Sequence, residues 1–321
     1  MRRTLLPRLV FLFGLVAAAA GMPAAAQTKL KVAEASHSFP MMSAYIAFDA
    51  GYFAERGIGV DLITMKGGPA AANALMSGDV DVALSLVETP IKLRAQGKDL
   101  RVAALMQDRN PTVLVVAASS SAKSLADLKG KKIGVTATGS LSDLITRAYL
   151  RNNGMVESDF EIVGLGSGAT VAAALERRQI DAAMTFAPFL TKLLTEKTGR
   201  IVQDFRGEVY PGVSVLIRGG DLGGPKEPVL RNFVAAMMKA SKTLYEDRAA
   251  VSRIARKYFP DMNPELLDAM IVSETQEKPL FSRDMKLTRA DYDWLVDFLI
   301  KTKQIAKPER YEDIVATQLW Q

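Results

Sequence analysis

Four short turns in this chain combine small residues with hydroxyls or glycines where a strand gives way to a helix: Ser36-His37-Ser38, Gly67-Gly68, Thr138-Gly139-Ser140 and Gly166-Ser167-Gly168. A helix start presents unpaired backbone N–H groups and the positive end of the peptide dipoles. Small side chains let a ligand approach that backbone, so the turns suit a carboxylate, sulfonate or nitrate. Two strand ends offer more: Ser85-Leu86-Val87-Glu88 a hydroxyl and a carboxylate, Thr185-Phe186-Ala187-Pro188 a hydroxyl and an aromatic wall. The candidate ligand contacts are Ser36, His37, Ser38, Phe39, Gly67, Gly68, Ser85, Glu88, Thr138, Gly139, Ser140, Ser167, Thr185 and Phe186, with Ser38, Gly68, Ser85, Gly139, Ser140 and Thr185 expected nearest. No arginine stands in the four turns, so a bound anion would be met by N–H groups and hydroxyls. Glu88 has two readings: in the cleft it favours a ligand with an amine or hydroxyl donor, and otherwise it is a solvated charge or cap before Thr89-Pro90.

Catalytic signatures are scarce. His37 is the single histidine and cysteine is absent, which excludes a multi-histidine metal site, thiolate ligands and a thiol nucleophile. Gly164-Leu165-Gly166-Ser167-Gly168-Ala169 fits the G-x-G-x-x-A of dinucleotide turns, but the next strand ends Met184-Thr185-Phe186 without the acid that holds a ribose. No phosphate-binding loop or nucleophile elbow occurs. Neither a cofactor nor a metal is expected, and the chain reads as a binder, not an enzyme.

Any one such turn is ordinary capping; what raises them is their duplication. Ala72-Asn73-Ala74-Leu75 leading to Val80-Asp81-Val82-Ala83-Leu84-Ser85 returns about one hundred residues later as Ala172-Ala173-Ala174-Leu175 leading to Ile180-Asp181-Ala182-Ala183-Met184-Thr185. Val60-Asp61-Leu62-Ile63 is echoed by Phe160-Glu161-Ile162-Val163. Two copies are too few for a solenoid and suit two similar lobes facing a cleft.

Strands are expected at 30–33, 58–65, 80–86, 100–107 and 112–118, and in the second copy near 133–135, 160–165 and 180–185. Helices are expected at 39–55, to 76 after Gly67-Gly68-Pro69, and at 90–97, 140–152 and 169–177. Such alternation implies right-handed crossovers and largely parallel sheets. The fold expected is α/β and two-lobed. Residues 27–117 form the first part of lobe I, 118–212 lobe II, and 213–321 a strand returning to lobe I followed by helices at 229–244, 249–259, 264–275 and 288–301. Bending is expected near 117–121, where Ser119-Ser120-Ser121 reads as a linker, and near 209–213.

Residues 1–26 read as a signal peptide, with Arg2, Arg3 and Arg8 before an apolar stretch and Ala24-Ala25-Ala26 before Gln27. Cleavage there takes the chain from 321 to 295 residues and the formal charge from +6 to +3, since the segment holds three arginines and no acid. So modest a charge gives no ground for a nucleic-acid partner. Without a cysteine the mature chain carries no lipid anchor, and a soluble periplasmic monomer is expected.

The segments Tyr45-Ile46-Ala47-Phe48-Asp49-Ala50-Gly51-Tyr52-Phe53 through Asp61, Gly78-Asp79-Val80-Asp81-Val82-Ala83, Leu125-Ala126-Asp127-Leu128-Lys129-Gly130, and Trp294-Leu295-Val296-Asp297-Phe298-Leu299 with Lys307-Pro308 resemble the periplasmic substrate-binding proteins of nitrate, sulfonate and taurine ABC transporters. The resemblance implies a type II periplasmic-binding-protein fold with two hinge crossings. It also implies a Venus-flytrap closure over one small ligand and delivery of that ligand to an inner-membrane permease. Where members often carry Trp-Glu-Pro, this chain has Phe186-Ala187-Pro188, which removes a carboxylate. Two rivals share the fold: an enzyme related to thiamine-pyrimidine synthesis, whose cysteine-rich motif and histidines are missing here, and an exported ligand-sensing module.

Overall fold

The computed structural model describes residues 27–65, 67–138, 140–166 and 168–321; the expected signal peptide lies outside them. The described residues form ten strands: β1 (Thr28–Glu34), β2 (Ile58–Thr64), β3 (Val82–Leu86), β4 (Leu100–Leu105), β5 (Val113–Ala117), β6 (Lys132–Val135), β7 (Glu161–Gly164), β8 (Ala182–Thr185), β9 (Gly199–Asp204) and β10 (Val213–Arg218). The helices are α1 (Met42–Asp49), α2 (Gly68–Ser77), α3 (Glu88–Arg94), α4 (Leu141–Asn152), α5 (Gly168–Glu176), α6 (Phe189–Thr195), α7 (Glu227–Glu246), α8 (Arg248–Tyr258), α9 (Pro264–Val272), α10 (Arg289–Lys301) and α11 (Tyr311–Ile314).

The strands make two five-stranded sheets, ordered β2-β1-β3-β10-β4 and β7-β6-β8-β5-β9. In the first, β1 runs parallel to β2 and β3, while β10 is antiparallel to β3 and β4. The second repeats this position for position, with β6 parallel to β7 and β8, and β5 antiparallel to β8 and β9. Even a register shift recurs, at Val215/Leu216 and at Leu114/Val115. The sheets are therefore mixed, each with an antiparallel fourth strand.

The repeated sequence explains the repeated layers. Strand side chains alternate between faces, so Val82 and Leu84 enter one core with α1 and α7, while Ala83 meets Ala71, Ala72 and Leu75 of α2. In lobe II, Ala182 and Met184 face Ile145 and Leu150 of α4, and Ala183 faces Val171, Ala172 and Leu175 of α5. The repeated aspartates do equivalent work: Asp81 accepts from the Lys31 N–H (3.0 Å) and Asp181 from the Lys132 N–H (2.9 Å). Each ties down the parallel strand beside its own, β1 at its middle and β6 at its first residue.

Several expectations are corrected. Residues 113–117 belong to the second sheet, so lobe I ends before them, and the chain crosses at 106–112 rather than 117–121. The return crossing spans 205–212. The two crossings pair with each other: Gly212 N donates to Gln107 O (2.8 Å), Asn110 N to Glu208 O (2.9 Å), and Arg109 bridges Val209. The Ser119-Ser120-Ser121 stretch is no linker; Ala118 N bonds Thr198 O (2.9 Å) and Arg200 reaches Ser120 O (3.2 Å), which tie it to β9. The helix expected over 39–55 is a 3-10 turn (Phe39–Met41) followed by α1, which stops at Asp49 ahead of Gly51 at φ +76°. β9 goes unforeseen, because Gly-Arg-Ile-Val-Gln-Asp lies half-buried at a sheet edge and shows no alternation.

The C-terminal helices cover lobe I. Leu295 and Leu299 of α10 enter its core, while Trp294 and Phe298, stacked at 5.5 Å, meet the ring of Tyr210 in the return crossing, Phe298 also packing on the core. The apolar side of α10 thus serves both core and hinge.

Candidate functional site

The turns at the carboxyl ends of the central strands build corresponding structures in the two lobes. Gly67 N donates to Ala35 O (2.9 Å) and Met65 N to Glu34 O (2.9 Å); in lobe II, Gly166 N donates to Thr136 O (2.7 Å) and Leu165 N to Val135 O (2.9 Å). Gly67 and Gly166 take φ of +97° and +95°, a conformation open to glycine at little cost. Each glycine thereby turns the chain from strand into helix, α2 in one lobe and α5 in the other.

At the ends of the neighbouring strands lie two hydroxyls. Ser85, near the end of β3, and Thr185, at the end of β8, are each 1% exposed. Neither hydroxyl oxygen has a hydrogen-bond partner among the described residues. Buried polar groups are nearly always paired, so these two stand out. They are repeat equivalents, and both point to the helix side of the sheet, as Ala83 and Ala183 do. Ser85 lies so close beneath α2 that a Cβ on Gly68 would stand 2.9 Å from its Oγ. No side chain caps α2, whose N-cap is Gly67. Ser43, in the first turn of α1, is a third buried hydroxyl without a partner among the described residues; sequence reading missed it.

The other expected contacts divide. Ser140 caps α4, accepting from Asp143 N (3.4 Å), and its hydroxyl joins Thr136 (2.9 Å) and Ser142 (3.0 Å) in a closed trio. Thr138 beside it is exposed, while Gly139 and Ser167 lie outside the described residues. Ser36 and Ser38 bond each other (3.0 Å). His37 leans away onto α8: its Nε2 meets the Tyr258 carbonyl (2.7 Å), and its Nδ1 meets the Tyr45 hydroxyl (3.0 Å). Phe39 is buried edge-on against Phe281 (5.7 Å), so it serves the core. Phe186 is half-buried at the lobe II rim, followed by Ala187, which packs on the lobe I core.

Both carboxylates beside the first-lobe turns are occupied. Glu88 accepts from Lys92 (2.7 Å) and from the Tyr210 hydroxyl (3.2 Å). Complete burial and that carboxylate push the Tyr210 phenol well above its usual range. Glu34, 1% exposed, accepts from Tyr45 (2.6 Å) and Thr64 (2.6 Å). Burial, with Glu34 adding to it, likewise holds the Tyr45 phenol far above its usual range, so it stays a donor. Tyr45 and Tyr258 stack face to face at 4.0 Å and close this side of the lobe. Among the described residues no group of three or more acidic, histidine or cysteine side chains converges on a metal position.

Comparison with known proteins fits this architecture. Residues 38–251 match the model of the "NMT1/THI5 like" family, and the chain belongs to that family. The Bacillus subtilis "Putative binding protein YtlA" is 26% identical over 301 residues, covering 91% of this chain and 89% of that one. The periplasmic aliphatic sulphonate binding protein SsuA of Escherichia coli superposes with a TM-score of 0.76 at 18% identity, over 91% of this chain and 98% of that one. The periplasmic nitrate-binding protein NrtA of Synechocystis PCC 6803 gives 0.71 at 14% identity, over 92% and 87%. The fold is that of the type II periplasmic binding proteins, two lobes joined by two crossings with a cleft between them.

Proposed function

We propose that the protein is a periplasmic solute-binding protein that captures a small organic or inorganic anion or zwitterion between its lobes. It then delivers that ligand to an ABC permease in the inner membrane. One observation carries the reading: Ser85 and Thr185, equivalent positions at the ends of β3 and β8, hold buried hydroxyls without partners among the described residues, Ser85 directly beneath the start of α2. Each hydroxyl can donate to an anion that the N-terminal N–H groups of its helix also face. Closure brings the two half-sites together by bending at 106–112 and 205–212, the two chain connections between the sheets. The relatives named for sulphonate and nitrate binding support the class of ligand.

The test is titration calorimetry of the mature protein against small sulfonates, carboxylates and nitrate, with native mass spectrometry of protein as purified. One anion per chain is expected, its mass unchanged after prolonged incubation. A ligand converted over many turnovers would overturn the reading in favour of an enzyme. Binding indifferent to both Ser85→Ala and Thr185→Val would place the site elsewhere.

A further inference from the structure

The segment after α9 holds a buried acid that the anion half-sites do not use. Ser273–Glu277 is a π-turn, a rare wide turn frequent at functional sites. It rests against both crossings. Arg206 of the return crossing donates to Ser273 Oγ (3.1 Å). Leu280 N bonds Glu274 O (3.0 Å), Leu280 O accepts from Asp108 N (3.2 Å), and Phe281 bridges Gln107 of the outgoing crossing. Ser273 and Glu277 open outward onto a groove shared with α6 and α8, whereas Glu274 is turned inward and is 2% exposed.

Among the described residues the Glu274 carboxyl has no hydrogen-bond or ion-pair partner. The charges that act on it are Arg206 and Asp204. Arg206 is already committed, with Nε 3.0 Å from Asp204 Oδ1 and Nη2 2.9 Å from Oδ2. Lys278 acts on Asp204, and Glu277 on Arg206. Burial lifts the Glu274 carboxyl to about 7, Arg206 opposing the rise and Asp204 adding to it. A buried acid without a partner is disfavoured unless something supplies a donor.

We infer that Glu274 lines the floor of the cleft and receives an N–H or ammonium group at the end of the ligand remote from its anionic head. The inference rests on the anion-binding reading and narrows it to donor-bearing ligands, so that bare nitrate or a plain alkyl acid would be a poor fit. An ammonium on the ligand draws the acid to its ionised form and releases the proton it held.

The probes are two matched pairs, 3-aminopropanoate with propanoate and 2-aminoethanesulfonate with ethanesulfonate. Each is titrated at pH 7 into wild type, Glu274→Gln and Glu274→Leu, in two buffers of different ionisation enthalpy, after melting curves establish that the variants fold. In wild type the amine-bearing member of a pair should bind roughly 10- to 150-fold tighter and release a fraction of a proton, since burial keeps part of the acid protonated at that pH. Both effects should vanish in Glu274→Gln and Glu274→Leu while affinity for the amine-free member is kept. Equal binding within both pairs, unaltered by the substitutions, would make the carboxyl structural and leave the anion reading standing. Proton release with the amine-free members too would tie ionisation to lobe movement instead. If none of the four binds, the anion reading fails and this inference with it.

Discussion

Replacing Thr185 with valine keeps the shape of the side chain and removes one hydroxyl that has no partner among the described residues. The substitution should therefore act in opposite directions on the free and the liganded protein. A buried unsatisfied polar group costs about 1 to 3 kcal/mol, and exchange for a methyl at a site 1% exposed should recover about 1 kcal/mol of that. For a chain of this size the melting temperature should rise by roughly 2 °C. With an anion bound, the same hydroxyl donates to a charge, a bond worth about 1.5 to 3 kcal/mol. Its loss should weaken binding roughly 10- to 150-fold. Differential scanning calorimetry of ligand-free protein and isothermal titration with the best anion measure the two effects separately. Ser85→Ala should behave alike, with a smaller gain in stability because it leaves a small void. A free protein destabilised by Thr185→Val together with unchanged affinity would refute the reasoning, since the hydroxyl would then be serving the fold.

Three further outcomes are expected. Ser140→Ala should lower stability by roughly 1 kcal/mol through loss of the α4 cap, seen in urea unfolding, with anion affinity nearly unchanged because that hydroxyl is spent within its own turn. Gly68→Ala places a Cβ 2.9 Å from Ser85 Oγ, so it should reduce affinity at least as much as Ser85→Ala while leaving the melting temperature close to wild type. Burial pushes the Asp81 carboxyl up, but bonds from Lys226 and the Lys31 N–H, with Arg218 nearby, outweigh it and hold the group below its usual range. A carboxyl so lowered contributes stability above the ordinary aspartate range that is lost as pH falls through its folded value. Asp81→Asn should thus destabilise the protein at pH 7, and progressively less as pH falls below the ordinary aspartate range, checked by melts across that range.

The repeat was legible because each lobe needs the same local devices: Asp81 and Asp181 to pin a strand, Gly67 and Gly166 to turn it, alanines where helix meets sheet. What escaped reading depends on distant segments. Val113–Ala117 looks like any buried strand, and its sheet is decided by pairing with β8 and β9, not by its own residues. Ser140 and Ser85 read alike as hydroxyls at strand-to-helix turns, yet one is spent on a cap and its neighbours while the other has no partner among the described residues. Glu88 could not be resolved because its fate lies with Tyr210, 122 positions on. Glu274 carried no signal of its own, since a helix expected over 264–275 does not say which of its residues the crossings bury.

The exchange of β5 and β10 between sheets sets an order in time. All five strands of the second sheet come from residues 113–204, an unbroken stretch that can complete its hydrogen bonding as soon as it has emerged. The first sheet cannot, because β10 is seated between β3 and β4, and the edge strand β4 gains its ladder only once residues 213–218 arrive. A chain threaded from its N-terminus thus carries β1 to β4 unfinished past the whole of the other lobe, a long-range closure of the kind that slows folding. Pulse-labelled hydrogen exchange during refolding should find the β6 and β8 amides protected before those of β3 and β4. The half of the molecule made first is, on this topology, the half finished last.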